Sequence, residues 1–166
     1  MLSYSEMKVQ KTLILCVGSR LMKDDALGLV VGEALLKLDL PAEVKIFETG
    51  LDVFTLLDEI AGFDNLIIVD VIKSGLSPGK VVVVDLNELS QEYIGEIQSL
   101  HDIDVVSAIR LGYELFREKM PRRIFLVGVG AKEISPGIGL SEEVEKAIPK
   151  ILESISRLLK LDSIDD

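Results

Sequence analysis

The chain has 166 residues, of which 48% are hydrophobic, and its formal net charge is −10. This size suits one domain with a sizeable hydrophobic core, and we expect a single domain over residues 1–166, with residues 1–11 as a flexible N-terminal extension. The negative charge repels phosphate backbones and the chain lacks the roughly 18 uninterrupted apolar residues of a membrane span, so we expect neither nucleic acid nor a membrane as a partner.

Short apolar runs alternate with amphipathic segments along the chain, and this alternation predicts a sheet covered by helices. Residues 12–17 (TLILCV) predict a buried strand. It contains Cys16, the single cysteine, which we interpret as a small buried hydrophobic residue. One cysteine excludes a disulfide scaffold, and residues 1–11 lack the apolar core of a signal peptide. We therefore expect a cytoplasmic protein and, since no feature signals self-association, a monomer.

The next segments predict a helix over 26–38, a strand over 44–48, a short helix over 52–60 and a strand over 66–71. A further apolar run, 80–86, follows after the short connection KSGLSPG. A parallel crossover needs a dozen or more residues. We therefore expect this fourth strand to form an antiparallel hairpin with the third and to lie at an edge of the sheet.

The second half predicts a helix near 88–97, a loop with His101, a helix over 103–116, a strand over 124–129 and a long helix that starts at Ser141. Together the elements predict an α/β fold. It is a three-layer sandwich with a five-stranded, mostly parallel, twisted sheet, one antiparallel edge strand and helices on both faces. In such open sheets, ligands bind beyond the carboxyl ends of the strands.

Three polar positions should meet at that carboxyl edge. The loop after the first strand carries Asp24 and Asp25, and Asp70 lies at the end of the third strand. The fourth strand runs away from this edge, and the helix over 88–97, about 15 Å long, returns the chain to it at His101. Two carboxylates and an imidazole form a metal-binding set that suits ions such as zinc, copper, iron or nickel, with positions left open for ligands from a partner.

Each of these residues also has a simpler interpretation. Asp24 or Asp25 would serve as a helix cap, Asp70 would bond only to backbone amides, and His101 would be an exposed loop residue. Motifs for other chemistry are weak or absent: no Gly-rich dinucleotide motif leads into a helix, there is no GxSxG motif, and no second histidine exists for an HExxH zinc site. Spacing alone therefore leaves metal binding open.

The order of these motifs resembles that of the hydrogenase maturation endopeptidases, which process the large subunits of nickel–iron hydrogenases. The resemblance covers residues 12–160 and is carried by five segments. They are CVGSRLMKDDALG (16–28), FETG (47–50), NLIIVDVIKSGLSPGKVVVVD (65–85), SLHDIDVVSAIRLG (99–112) and FLVGVGAKEISPGIGLSEEVEKAI (125–148).

Carried over residue by residue, the resemblance implies that Asp25, Asp70 and His101 bind nickel and form the catalytic centre. The sequence leaves two routes to cleavage open: a nearby carboxylate, Asp24 or Asp25, acts as general base, or the metal serves only as a checkpoint. The turn at Thr49 and Gly50 is similar to a glycine-rich family turn associated with cleavage or specificity, although one glycine of the usual pair is missing here. The nickel would be supplied by the substrate rather than bound tightly at rest.

The implied function is that of an endopeptidase that removes the C-terminal extension from a nickel-loaded large-subunit precursor and uses the nickel as its recognition signal. Two alternatives belong to other classes. The first is a non-catalytic, nickel-dependent chaperone or binding module for the same precursor. The second is a small-molecule-binding α/β enzyme, which the missing phosphate-binding motif disfavours.

Overall fold

The computed structural model of the protein describes residues 10–49, 53–73, 75–87 and 103–164. The predicted helix near 88–97 and the predicted site residues Gly50 and His101 lie outside these ranges, as do residues 1–9 of the predicted extension. Within the described ranges, all five predicted strands are present and belong to one sheet.

The sheet has the strand order β2-β1-β3-β5-β4. The strands are β1 (Thr12–Val17), β2 (Val44–Thr49), β3 (Asn65–Ile72), β4 (Val81–Asp85) and β5 (Arg123–Gly130). Four strands are parallel to one another, and β4 pairs antiparallel with β5 at one edge. Every residue of β1 and β3 is buried, as expected for inner strands of a sheet covered on both faces. The predicted mostly parallel sheet with one antiparallel edge strand is confirmed.

The predicted hairpin between the third and fourth strands is wrong, because β5 lies between β3 and β4. The chain does reverse direction after β3, but a reversal does not require the two strands to be neighbours. Strands lie about 4.8 Å apart, so passing over one strand takes only about 10 Å, which a short connection spans easily. The connection crosses the end of β5 so closely that a Cβ on Gly130 would overlap with the carbonyl oxygen of Ser77.

Helices cover both faces of the sheet. In the described part of the chain they are α1 (Leu27–Leu36), α2 (Val53–Ile60), α3 (Ile103–Phe116) and α4 (Glu142–Ile164). One face packs against α1 and α4 through residues such as Val31 and Ile151. The other packs against α2 and α3 through residues such as Leu56 and Ile109. The predicted three-layer sandwich is therefore confirmed. None of the helices that could be searched is both long and apolar enough to cross a bilayer.

The first helix differs from the prediction over 26–38 at both ends. A 3₁₀ turn, Lys23–Ala26, precedes α1, and α1 ends at Leu36. The backbone N–H groups of Lys37 and Leu38 close the helix end by donating to Ala34 and Leu35. The acidic pair therefore lies in the tight turn before α1 rather than in the helix itself.

Cys16 lies within β1 as a free thiol with no exposed surface. Burial, with a smaller contribution from the negative charge of Glu48, raises the pKa of the Cys16 thiol to about 12. The side chain is therefore neutral near neutral pH and not poised to act as a nucleophile. The prediction that Cys16 is a small buried hydrophobic residue is confirmed.

Candidate functional site

Two carboxylate-bearing segments reach the carboxyl edge of the sheet. The first loop, defined here as residues 18–26, leaves β1 at this edge, and Asp70 lies near the carboxyl end of β3. Glycines allow the first loop to pack closely. A Cβ on Gly18 would overlap with the carbonyl oxygen of Asp25, and a Cβ on Gly28 would overlap with that of Val17. The course of the loop past β1 therefore depends on residues that have no side chain.

Asp24 is fully buried, and its carboxylate accepts four hydrogen bonds. Oδ2 accepts from the backbone N–H groups of Lys132 and Glu133, each at 2.9 Å, and from the Ser141 hydroxyl at 3.0 Å. Oδ1 accepts from the backbone N–H of Ser141 at 2.7 Å. Asp24 therefore binds the loop between β5 and α4, defined here as residues 131–141 and called the β5–α4 loop.

These donors decide the charge state of Asp24. Burial by itself raises the pKa of a carboxyl group, because it disfavours the charged form. Here the backbone N–H groups of Glu133, Ser141 and Lys132, with the Ser141 hydroxyl, outweigh burial and lower the pKa of Asp24 below its usual value. Asp24 is thus a charged, fully hydrogen-bonded carboxylate and a weak base.

The backbones of the first loop and the β5–α4 loop are also joined directly. Met22 and Gly137 form a parallel β-bridge, the N–H of Lys23 donates to the carbonyl of Gly137 at 3.1 Å, and the N–H of Gly137 donates to that of Leu21 at 2.9 Å. The N–H of Asp24 donates to the carbonyl of Glu133 at 3.1 Å. Lys23 Nζ adds an ion pair with Glu133 Oε1 at 2.7 Å. The two loops therefore form one hydrogen-bonded unit.

Asp25 is the second residue of the acidic pair and is 4% exposed. Its backbone N–H donates to the carbonyl of Met22 at 3.2 Å, and its own carbonyl accepts from the N–H of Ser19 at 3.2 Å. Neither the 3₁₀ turn nor α1 has a side-chain N-cap hydrogen bond. The simpler interpretation of the pair as caps of the first helix is therefore wrong, since Asp24 binds the β5–α4 loop and α1 begins without a side-chain cap.

Asp70 is 6% exposed and lies opposite Gly128 of β5. Its Oδ1 accepts from the backbone N–H of Val71 at 2.8 Å, so the expected backbone bond exists. Leu66 and Ile68 belong to the core on the α2 and α3 side of the sheet. Since strand side chains alternate, Asp70 is on that same side. The 3₁₀ turn that contains Asp25 contacts β3, so both carboxylate segments meet at one edge.

The other predicted site residues are described only in part. Thr49 is the last residue of β2 and is paired with Val17 of β1, which puts its backbone at the carboxyl edge. Gly50 and His101 lie outside the described residues. Among the described residues, no three His, Cys, Asp or Glu side chains are grouped closely enough to hold a metal ion. The nickel-binding set of Asp25, Asp70 and His101 thus stays a prediction.

Two contacts of the site could not be predicted from the sequence. One is the bonding of Asp24 to the β5–α4 loop. The other is Arg20, whose Nη2 lies 2.6 Å from Glu33 Oε1 and 3.6 Å from Glu48 Oε2, which links the first loop to α1 and to the end of β2. The donors to Asp24 are mostly backbone N–H groups, which leave no residue-type signal. An exposed pair such as Arg20–Glu33 contributes little to stability.

Comparison with known proteins identifies the family. A family model described as hydrogenase maturation protease, of the HycI type, matches residues 29–158. The hydrogenase 2 maturation protease of Escherichia coli is 33% identical over 160 residues, which cover 93% of this chain and 94% of that protein. The protein FrxA of Pyrococcus furiosus is 33% identical over 139 residues, which cover 84% of this chain and 98% of that protein.

Solved structures agree with the sequence matches. The hydrogenase maturating endopeptidase HybD from Escherichia coli superposes with a TM-score of 0.78 at 30% identity, over 91% of this chain and 93% of that one. The NiFe hydrogenase maturation protease HybD from Thermococcus kodakarensis superposes with a TM-score of 0.73 at 29% identity, over 90% and 99%. This chain therefore belongs to the hydrogenase maturation protease family and is a peptidase.

Proposed function

We propose that this peptidase removes the C-terminal extension of a nickel-loaded nickel–iron hydrogenase large-subunit precursor, and that Asp25, Asp70 and His101 bind the nickel carried by that substrate. The observation that carries the proposal is the pair of buried carboxylate residues, Asp25 and Asp70, at one edge of the sheet in a member of this family. Carboxylates accept most divalent cations, so this edge of the sheet offers ligands to a metal carried by the substrate.

The direction of α3 supports the inclusion of His101. Helix α3 has 14 residues, about 21 Å, and β5 begins shortly after it, at the amino edge of the sheet. The start of α3 at Ile103 is therefore directed toward the carboxyl edge. Helix α3 covers the same face of the sheet as the one on which Asp70 lies. His101 precedes Ile103 by two residue steps, about 7 Å of chain, and we propose that it lies at this edge.

The donor set suits the proposed metal and role. Imidazole binds nickel well, carboxylates accept most divalent ions, and three protein ligands leave coordination positions for ligands of the substrate. Nickel held in this way would mark the precursor as ready and would lie near the peptide bond, where a metal polarises a carbonyl or activates water. Thr49 and Gly50, at and after the end of β2, are proposed to contact the peptide to be cut.

The two residues of the acidic pair take different roles in this proposal. Both oxygens of Asp24 accept hydrogen bonds from the β5–α4 loop, and its pKa is lowered. Asp24 is therefore a poor candidate for the general base, and we assign any base function within the pair to Asp25.

We further propose that the reaction takes place in the cytoplasm, in keeping with a single cysteine held as a buried free thiol. We also propose that the protease acts as a monomer.

A panel of alanine variants tests the proposed ligands. Asp25→Ala, Asp70→Ala and His101→Ala should each abolish processing of a nickel-loaded precursor, measured as loss of a C-terminal peptide by intact mass. Asp39→Ala is the matched control, because Asp39 is exposed and follows α1 at the opposite edge of the sheet. Normal processing by His101→Ala would contradict the nickel-binding set. Precursor binding by the wild-type chain without any cleavage would favour the chaperone alternative.

A further inference from the structure

The geometry points to a second role within the acidic pair. We propose that Asp24 is a positioning residue, which holds the neighbouring Asp25 in place for the substrate's nickel by tying the first loop to the β5–α4 loop. This inference rests on the function proposed above for Asp25. Asp24 itself touches neither metal nor peptide in this account, because its carboxylate is already bound by Lys132, Glu133 and Ser141.

The bonds of Asp24 connect parts of the chain that are distant in sequence. Its partners lie 108 to 117 residues further along. They belong to the β5–α4 loop, which leaves β5 at the same edge where β3 ends, and to the N-cap of α4. The Asp24 side chain is 0% exposed, so in the folded protein it is the carboxylate and not water that accepts from these N–H groups. Its removal would leave three backbone N–H groups and the Ser141 hydroxyl without this acceptor, and the two loops would have to move or admit water.

The backbone beside Asp24 has a conformation that needs surrounding contacts to hold it. Lys23 has a φ of 49°, in the left-handed region that residues with a side chain seldom occupy. Strained residues of this kind persist only where their surroundings fix them. Here Lys23 is fixed by the carbonyl of Gly137, by the ion pair with Glu133 and by the adjoining β-bridge at Met22.

The same turn determines where Asp25 lies. Asp25 follows Asp24 directly, and its N–H and carbonyl are held within the first loop by Met22 and Ser19. The turn contacts β3, the strand that carries Asp70. If the contacts of Asp24 are lost, the turn can relax and Asp25 shifts relative to Asp70. A misplacement of about 1 Å in a catalytic or binding group can cost roughly a hundredfold in rate.

A double-mutant cycle separates positioning from a general structural role. We expect Asp24→Asn and Asp25→Asn each to lower kcat/KM for the nickel-loaded precursor by roughly tenfold or more, with the same division between kcat and KM. Because Asp24 acts through Asp25, the double variant should be no worse than Asp25→Asn within about twofold. Ile151→Val is the control, since Ile151 is buried in α4 about 15 Å along the helix from Ser141 and its change should leave kcat/KM near wild type.

The possible results are distinguishable. Wild-type processing by Asp25→Asn and Asp25→Ala would overturn the proposed function, and this inference with it. If the losses in kcat/KM of Asp24→Asn and Asp25→Asn multiply in the double variant, only the positioning role is overturned. A normal kcat/KM in Asp24→Asn would have the same consequence. Assays are run at a temperature at which circular dichroism shows that every variant is folded. If Asp24→Asn does not fold, Ser141→Ala removes one of the four hydrogen bonds and should show the same non-additivity with a smaller loss.

Discussion

Asp24 carries a charge where no solvent reaches it, and the four hydrogen bonds to it should contribute to stability. In Asp24→Asn, an amide donor replaces one acceptor oxygen and faces N–H groups, so at least one buried donor loses its partner. A loss of this kind costs about 1–3 kcal/mol. We therefore expect Asp24→Asn to lower the free energy of unfolding by about 2 kcal/mol at pH 7, measured by urea denaturation.

The same variant should reveal the ionisation of Asp24. Its folded-state pKa is lowered, so the charged form contributes stability above the unfolded-state pKa of about 3.9 and loses that contribution as pH falls through the folded-state pKa. The difference in unfolding free energy between wild type and Asp24→Asn should thus stay constant from pH 7 to about 5 and shrink below about pH 4. A difference that grows toward acid pH would contradict the assigned charge state.

Cys16 supplies a prediction at alkaline pH. Its pKa is raised to about 12 in the folded state, whereas an exposed thiol titrates near 8.5. For a raised pKa, the contribution to stability is fully present below the unfolded-state pKa and is lost as pH rises toward the folded-state value. Between pH 9 and 11, the unfolding free energy of wild type should fall relative to Cys16→Ala by up to about 1.4 kcal/mol per pH unit. Parallel pH profiles of the two proteins would disprove this.

The sequence does not show which role each residue of the acidic pair takes. Asp24 and Asp25 are identical in type, adjacent in sequence and followed by the same helix. They differ through the backbone N–H groups of Lys132, Glu133 and Ser141, and every residue except proline has such a group. Only the folded arrangement of the first loop and the β5–α4 loop shows which aspartate they bind.

At the scale of elements, two glycines of α1 offer a matched comparison. A Cβ on Gly28 would overlap with the backbone of Val17, whereas a Cβ on Gly32 would lie 3.0 Å from Glu48 Oε1, the end of a flexible side chain. Gly28→Ala should therefore destabilise the protein by about 3 kcal/mol or more, and Gly32→Ala should change stability by less than about 1 kcal/mol. Thermal unfolding of both variants tests this, and equal losses would contradict the close packing of α1 on β1.

The apolar runs predicted the inner strands β1, β3 and β5 because inner strands are buried on both faces and so lack polar residues over most of their length. The edge strand β4 was predicted from its run of four valines, although it is only partly buried. The partner of the fourth strand could not be predicted in the same way. Chain reversal after β3 follows from the short connection, but the place of β4 depends on β5, which comes almost 40 residues later. The 3₁₀ turn before α1 could not be predicted from the sequence either, since its form depends on contacts with Glu133 and Gly137.

For the whole molecule, chain direction alone predicted that the first loop and the end of β3 lie at one edge of the sheet. Parallel strands end at a common edge, so the loop after β1 and the end of β3 had to be near one another, and the 3₁₀ turn does contact β3. The family model, which matches residues 29–158, connects the chain with hydrogenase maturation. The place of His101 and the single domain over residues 1–166 stay predictions, because both depend on residues outside the described ranges.

The most direct test is a single-turnover reaction with wild-type protease in excess over a hydrogenase large-subunit precursor, prepared with and without nickel and followed by intact mass. If substrate nickel is the recognition signal, only the nickel-loaded precursor loses a short C-terminal peptide, and nickel added to the metal-free precursor restores the cut once it is incorporated. Cleavage of both precursors at the same rate would contradict the role of nickel while leaving the peptidase activity intact.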